Sequence, residues 1–166
     1  MKPSGRAWLL LPAIIVVVVV MGLLLSNWQK EAGLAEPSKA GRSAVSAAGV
    51  AIELSSGTDA REYARFSNAV LVAAVAKRNA PLLNPADTRL NHQLTLLLDC
   101  LFAAREAWQA QIDETWDPGI HGTSTYWSVT HPSAGIAGED LTAAKVRELS
   151  LARAHEILRQ AADLAD

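Results

Sequence analysis

The chain of 166 residues carries 15 basic and 17 acidic side chains, four histidines and one cysteine, Cys100. A net charge of −2 without a basic stripe argues against a nucleic-acid surface. A lone cysteine excludes an intrachain disulfide and leaves Cys100 as a buried small hydrophobe, with an intermolecular link as its alternative.

The apolar weight of the chain is concentrated at its start. Residues 7–25 read AWLLLPAIIVVVVVMGLLL, 19 residues without a charge. As a helix this run covers roughly 28 Å, close to the apolar thickness of a bilayer. Trp8 and Trp28 lie where headgroup-level aromatics would sit, and Pro12 falls in the first turns, where a missing N–H costs least. Lys2 and Arg6 precede the run, whereas Lys30 and Glu31 cancel after it. The expectation is a transmembrane signal anchor in an inner (plasma) membrane, with residues 1–6 cytoplasmic and the rest periplasmic or otherwise extracytoplasmic. A cleaved signal peptide is disfavoured, because its apolar region is usually about 7–15 residues and small-x-small cleavage residues follow it closely. All 17 acidic residues but only 13 basic ones lie beyond the run, a net charge of −4 that argues against strong docking on anionic headgroups.

Residues 26–55 are expected to be a flexible linker. Lys30 to Val50 is dominated by small residues with no stable period. An all-α domain is expected over 56–166, as a small three-helix bundle. A first helix spans about Ala60 to Arg78, opened by a capping box of Asp59 and Glu62. Tyr63, Phe66, Val70, Ala73 and Ala74 form its apolar side, widened by Leu71 and Val75. Asn84 and Pro85 are an N-cap and first-turn pair for a second helix. Its Leu90, Leu94, Leu97, Leu98, Leu101, Trp108 and Ile112 recur at helical spacing to about Glu114. The two form an antiparallel hairpin. A third helix over Leu141 to Leu164 takes Asp140 as N-cap and fills the hairpin's groove or pairs with a second chain.

Between the last two helices lies Trp116 to Gly138, long for a connection and without helical period. Thr123 to Thr130 alternates in a way that allows a short extended stretch. Trp116, Asp117, His121, Tyr126, Trp127 and His131 are the candidate ligand- or partner-binding residues of this loop. The competing expectation is that its aromatics plug the open side of the bundle. No metal and no cofactor is assigned, since the two histidines match no ligand spacing. Asp99 falls with His92, Thr95, Glu106 and Asp113 on one side of the second helix, which reads as its solvated face. Arg105 is a charge on the apolar arc, expected to stack on Trp108 or to find a carboxylate. Arg153 poses the same question on the third helix.

There is no Walker A loop, GxGxxG, GxSxG, HExxH or CxxC in the chain, and no catalytic residue is assigned. The expectation is a membrane-anchored interaction or assembly domain with a protein partner or a second copy of itself. The alternative is a ligand-binding or sensing module that uses loop 116–138. A hydrolytic enzyme ranks third and requires polar groups from the loop and a helix to converge in one cleft.

Overall fold

A computed structural model describes residues 36–166, so the apolar run 7–25 and its expected membrane span lie outside the described residues. Among the described residues the architecture is all-α with no strand, and no helix is long and apolar enough to cross a membrane. The helices are α1 (Lys39–Glu53), α2 (Ala60–Asn79), α3 (Pro85–Ile112), the short α4 (Ser124–Thr130) and α5 (Ala143–Ala165). Single 3-10 turns follow α1 at Leu54–Ser56 and α4 at Pro132–Ala134.

Helix α1 overturns the expected flexible linker over its described part, and the bundle has four long helices rather than three. Ser38 caps α1 by accepting from the Gly41 N–H at 3.1 Å. Gly41, Ala44, Val45, Ala48, Ala51 and Ile52 are buried. Their spacing is that of a helix face, with Val45 and Ile52 among them, but the surrounding Gly, Ser and Ala residues give the segment the composition of a tether. Small residues let the backbone approach closely, and a Cβ on Gly41 would stand 3.1 Å from a Leu90 methyl.

The caps of α2 and α3 form as their sequences predict. Asp59 accepts from the Glu62 N–H at 2.8 Å, while Glu62 reaches back to the Asp59 N–H at 3.3 Å. Asn84 accepts from the Asp87 N–H at 2.8 Å, with Pro85 in the first turn. Phe66, Ala69, Val70 and Ala73 carry the buried face of α2, but Leu71 and Val75, expected to widen it, are exposed. Helix α3 ends in a Schellman arrangement: the Thr115 N–H reaches the Ala110 carbonyl at 2.9 Å, and Glu114 takes the left-handed position at φ 54° that glycine usually fills. Helix α5 starts two residues later than expected. Thr142, rather than Asp140, is its N-cap, and Asp140 turns the chain at φ 53°.

Helix α3 is the centre of the bundle and packs on α1, α2 and α5. Leu90, Leu94, Leu97, Leu98, Leu101 and Trp108 are buried as the periodicity predicts, Ile112 is only half-buried, and Ala103, Ala104, Ala107 and Ala110 bury the intervening faces. Trp108 contacts Tyr63 and Phe66 across the hairpin. Its cation partner is Arg147 of α5, whose guanidinium carbon lies 3.5 Å from the ring centroid, and not Arg105. The same guanidinium donates to the Ser55 and Gly57 carbonyls, so one side chain ties α5 to the turn after α1.

If α1 belongs to the core, Ala44→Glu should destabilise the protein by about 3 kcal/mol or more, the cost of an unpaired buried charge. The neighbouring, exposed Ser43→Glu should stay within about 0.5 kcal/mol of the parent. Equal denaturation midpoints for the two variants would return α1 to the status of a tether.

Candidate functional site

The segment after α3 is ordered by its own hydrogen bonds before it meets the bundle. Asp117 Oδ1 accepts from the Gly119 N–H at 2.8 Å, the turn its Asp-Pro-Gly sequence favours. The Asp117 N–H donates to His121 Nδ1 at 3.1 Å, which fixes that nitrogen as an acceptor. Gly122 is required here, since a Cβ would stand 2.3 Å from the Pro118 carbonyl oxygen. Residues 124–130 are then about two turns of helix rather than an extended stretch. Thr123 caps it, and burial of Trp127 overrides the weak helix propensity of Thr, Tyr, Trp and Val.

The aromatics of this segment face inward. Trp127 is fully buried and donates its indole N–H to the His121 carbonyl at 2.7 Å. Trp116, half-buried, stacks on Trp127 and on His121, with ring centroids 6.1 and 5.1 Å apart. Tyr126 meets Trp127 edge-on. Of the six loop residues singled out by sequence, Trp116, His121, Tyr126, Trp127 and His131 share one ring cluster, and exposed Asp117 only shapes the turn.

His131 is the electrostatic pivot. Its Nδ1 lies 2.9 Å from Asp99 Oδ1, and its Nε2 lies 3.1 Å from Glu106 Oε2. Asp99 therefore does not sit on a purely solvated face. Its second oxygen accepts from the Ser133 N–H at 2.7 Å, so this carboxylate fastens both the imidazole and the turn after α4. The error has a simple origin: a polar stripe on a helix looks the same whether water or a loop covers it. Glu106 also accepts from the Tyr126 hydroxyl. Burial works against a charge on His131, but hydrogen bonds to Glu106 and Asp99 outweigh it and hold the imidazole pKa above its ordinary value. Glu106 is held below the ordinary carboxylate range, first by its bond from His131 and despite partial burial. The Tyr126 phenol is pushed up to about 12 by the same carboxylate. With a carboxylate oxygen against each ring nitrogen, His131 is anchored on both sides and has no free nitrogen to act as a base.

Cys100 is buried behind this cluster, its thiol 3.4 Å from the Ser133 carbonyl. Burial and the nearby Asp99 push its pKa up to about 12, which makes it an unreactive thiol. Among the described residues no group of histidine, cysteine and carboxylates is arranged to hold a metal ion.

Beside the cluster opens a cleft of about 410 Å³ between the α2–α3 hairpin and the loop. Tyr63, Phe102 and Ala110 give it apolar walls, and Arg105, Glu106, Gln109, His121 and His131 bring polar groups into it. Arg105 neither stacks on Trp108 nor pairs with a carboxylate. Its Nε donates to the Ser67 hydroxyl at 2.7 Å, and no described carboxylate comes within 4.0 Å of its guanidinium. Arg153, by contrast, pairs with Glu156 on the exposed side of α5. The loop histidine and Glu106 of α3 thus converge at one cleft, a juxtaposition that helical periodicity alone does not reveal.

The clamp gives stability a definite pH profile. His131, with its raised pKa, contributes fully below about pH 6.5 and loses its contribution as pH rises through its folded value. Glu106, with its lowered pKa, contributes fully above about pH 4.3 and loses it as pH falls through its own. The denaturation midpoint should therefore be highest between about pH 4.3 and 6.5 and decline toward pH 9. His131→Ala should cost about 2–3 kcal/mol at pH 6 and flatten the alkaline decline. A parent protein equally stable at pH 6 and pH 9 would refute the clamp. Compared with known proteins, the chain matches no family model, no curated protein and no solved structure.

Proposed function

We propose that this is a single-pass membrane-anchored protein whose helical domain, held outside the cytoplasm, binds a small organic anion in the cleft between the α2–α3 hairpin and the aromatic loop. The carrying observation is Arg105. A half-buried guanidinium at an apolar-walled cleft, fixed by a neutral hydroxyl and lacking a carboxylate among the described residues, is a preformed counter-charge for a carboxylate or phosphate. The neighbouring Glu106 is compensated by His131 and Tyr126, so its charge opposes an anion less than a bare carboxylate would. Tyr63 and Phe102 favour an apolar body on the ligand. The anchor reading rests on the apolar run 7–25 with its basic leading flank. An enzyme is a poorer fit, because both nitrogens of His131 are occupied by Asp99 and Glu106.

A screen of aromatic and aliphatic carboxylates and phosphates against the full chain in detergent, read by tryptophan fluorescence, tests this reading. Binding should weaken about 10-fold or more in Arg105→Met, the loss of a charge-assisted hydrogen bond, with folding unchanged. Ligands that bind the parent and the variant alike would remove Arg105 from the site.

The second reading, an assembly domain, is favoured by a different observation. Val50 of α1 and Leu71, Val72 and Val75 of α2 are all about half exposed, and Val50 and Val72 border a shallow groove with Ala47 and Leu54. On this reading a second copy or a membrane-associated protein covers that face. Light scattering of the full chain in mild detergent should then show a dimer or complex that Val72→Glu with Val75→Glu dissolves. A monomeric parent with no co-purifying protein would retire it.

A further inference from the structure

The turn between α2 and α3 holds two leucines in water. Leu82 is 58% exposed and Leu83 75%. They are not loose ends of an unfinished helix. Pro81 and Pro85 bracket them, and the buried Asp87 carboxylate accepts from the Leu83 N–H at 3.1 Å, which sets the backbone so that both side chains project away from the core.

The same carboxylate identifies what lies next to the turn. Its other oxygen accepts from the Ser38 N–H at 2.7 Å, and the Asn84 side-chain amide donates to the Glu36 carbonyl at 3.0 Å. The leucine turn therefore sits against the point where the described chain begins. Only residues 26–35 separate that point from the apolar run 7–25, and ten residues reach at most about 35 Å. The turn belongs to the end of the bundle nearest in sequence to the expected membrane anchor.

Charge at this end is less acidic than in the domain as a whole. Lys77 and Arg78 close α2 just before the turn, Arg89 follows it on α3, and Lys39 opens α1. Of the acidic residues there, Asp87 is buried and Glu36 pairs with Arg42 at 3.4 Å. Asp163 and Asp166 lie at the C-terminal end of α5, which runs antiparallel to α3. Both therefore fall at the leucine end, where Lys39, Arg42, Lys77, Arg78 and Arg89 stand against Glu36, Asp87, Asp163 and Asp166, close to balance rather than the −4 of the chain beyond the apolar run, with Lys77, Arg78 and Arg89 the charges that flank the two exposed leucines in sequence. Apolar tips rimmed by cations are the composition of an interfacial membrane contact.

We propose that Leu82 and Leu83 insert into the headgroup region of the membrane that holds the anchor, with Lys77, Arg78 and Arg89 against anionic headgroups, so that the domain sits on the bilayer in a fixed orientation. This inference rests on the anchor reading. It is independent of the anion cleft.

The test uses the full chain in vesicles of phosphatidylethanolamine and phosphatidylglycerol, with an environment-sensitive fluorophore attached through Leu83→Cys or, as a control, Val129→Cys on the aromatic loop. Both positions are exposed, so the core is undisturbed, and Cys100 is buried. Flotation after carbonate extraction is measured first. With the chain membrane-embedded, emission at position 83 should shift to the blue and lose most of its intensity to a shallow nitroxide lipid, while position 129 stays water-like. Adding Leu82→Asp should abolish the quenching. A chain that floats but keeps a water-like signal at 83 overturns the docking and leaves the anchor standing. A chain that fails to float overturns both. A blue shift that persists without lipid and grows with protein concentration assigns the turn to a second copy and also overturns the docking.

Discussion

The constraint on which the bundle depends is that α3 must be buried on nearly every side. Thirteen of its 28 residues are buried, and they are not confined to one stripe. Leu90, Leu94, Leu97, Leu101 and Trp108 supply bulk, whereas Ala103, Ala104, Ala107 and Ala110 supply closeness. A helix hydrophobic on this many faces cannot be covered by one partner, so α2, α5 and α1 must each take a side. This is why the segment before Ala60 folds. Left as a coil, it would leave part of α3 in water. Its alanine face matches what α3 needs, since small residues let a fourth helix approach without displacing the leucines.

The one polar stripe of α3 serves the same end by other means. Asp99 and Glu106, two turns apart, hold the imidazole of His131 between them, and the loop between α3 and α5 is thereby pinned along the helix. Trp127 is buried beneath the pin, and Trp116, His121 and Tyr126 pack around it. The arrangement divides labour among charged groups. His131 and Asp99 are spent on holding structure, Glu106 is shared between structure and the cleft, and Arg105 retains hydrogen-bonding capacity beyond Ser67. Order in the loop is therefore a precondition of any recognition at the cleft, since its His121 and His131 form part of the wall.

Much of this architecture was legible in the residues. The capping box at Asp59 and Glu62, the Asn84–Pro85 start and the leucine repeat of α3 follow from local chemistry, and the structure reproduces each within a residue or two. Three features were not legible, each for a physical reason. Helix α1 buries Gly41, Ala44, Val45, Ala48, Ala51 and Ile52 at helical spacing, but its richness in Gly, Ser and Ala is also the composition of a flexible tether, and only packing against α2 and α3 distinguishes the two. Asp99 and Glu106 are polar because a loop covers them rather than bulk water, a distinction that depends on tertiary structure. Arg147 rather than Arg105 reaches Trp108, because which of two arginines meets a ring depends on how the helices cross. The aromatic loop lay between these extremes. Its ordering by Trp127 was foreseeable, but its helical turn was not, since Thr, Tyr, Trp and Val favour extended structure in isolation.

Asp87 carries a mechanical consequence. It is the carboxylate through which the start of the described chain, at Ser38, and the α2–α3 turn, at Leu83, are joined inside the protein. Burial raises its pKa, but hydrogen bonds from Ser38, Leu83 and Asn84 together bring it below the ordinary carboxylate value, so the group stays ionised. A tensile load applied along the chain at Glu36 would meet the Asn84 amide and then this carboxylate before it reached the hydrophobic face of α1. The pull is shared with the first turn of α3, the most deeply embedded helix, instead of peeling α1 from its end. With the Asn84 amide on the Glu36 carbonyl, the Asp87 carboxylate makes the first residues of the described chain part of the α3 N-terminus rather than a free end.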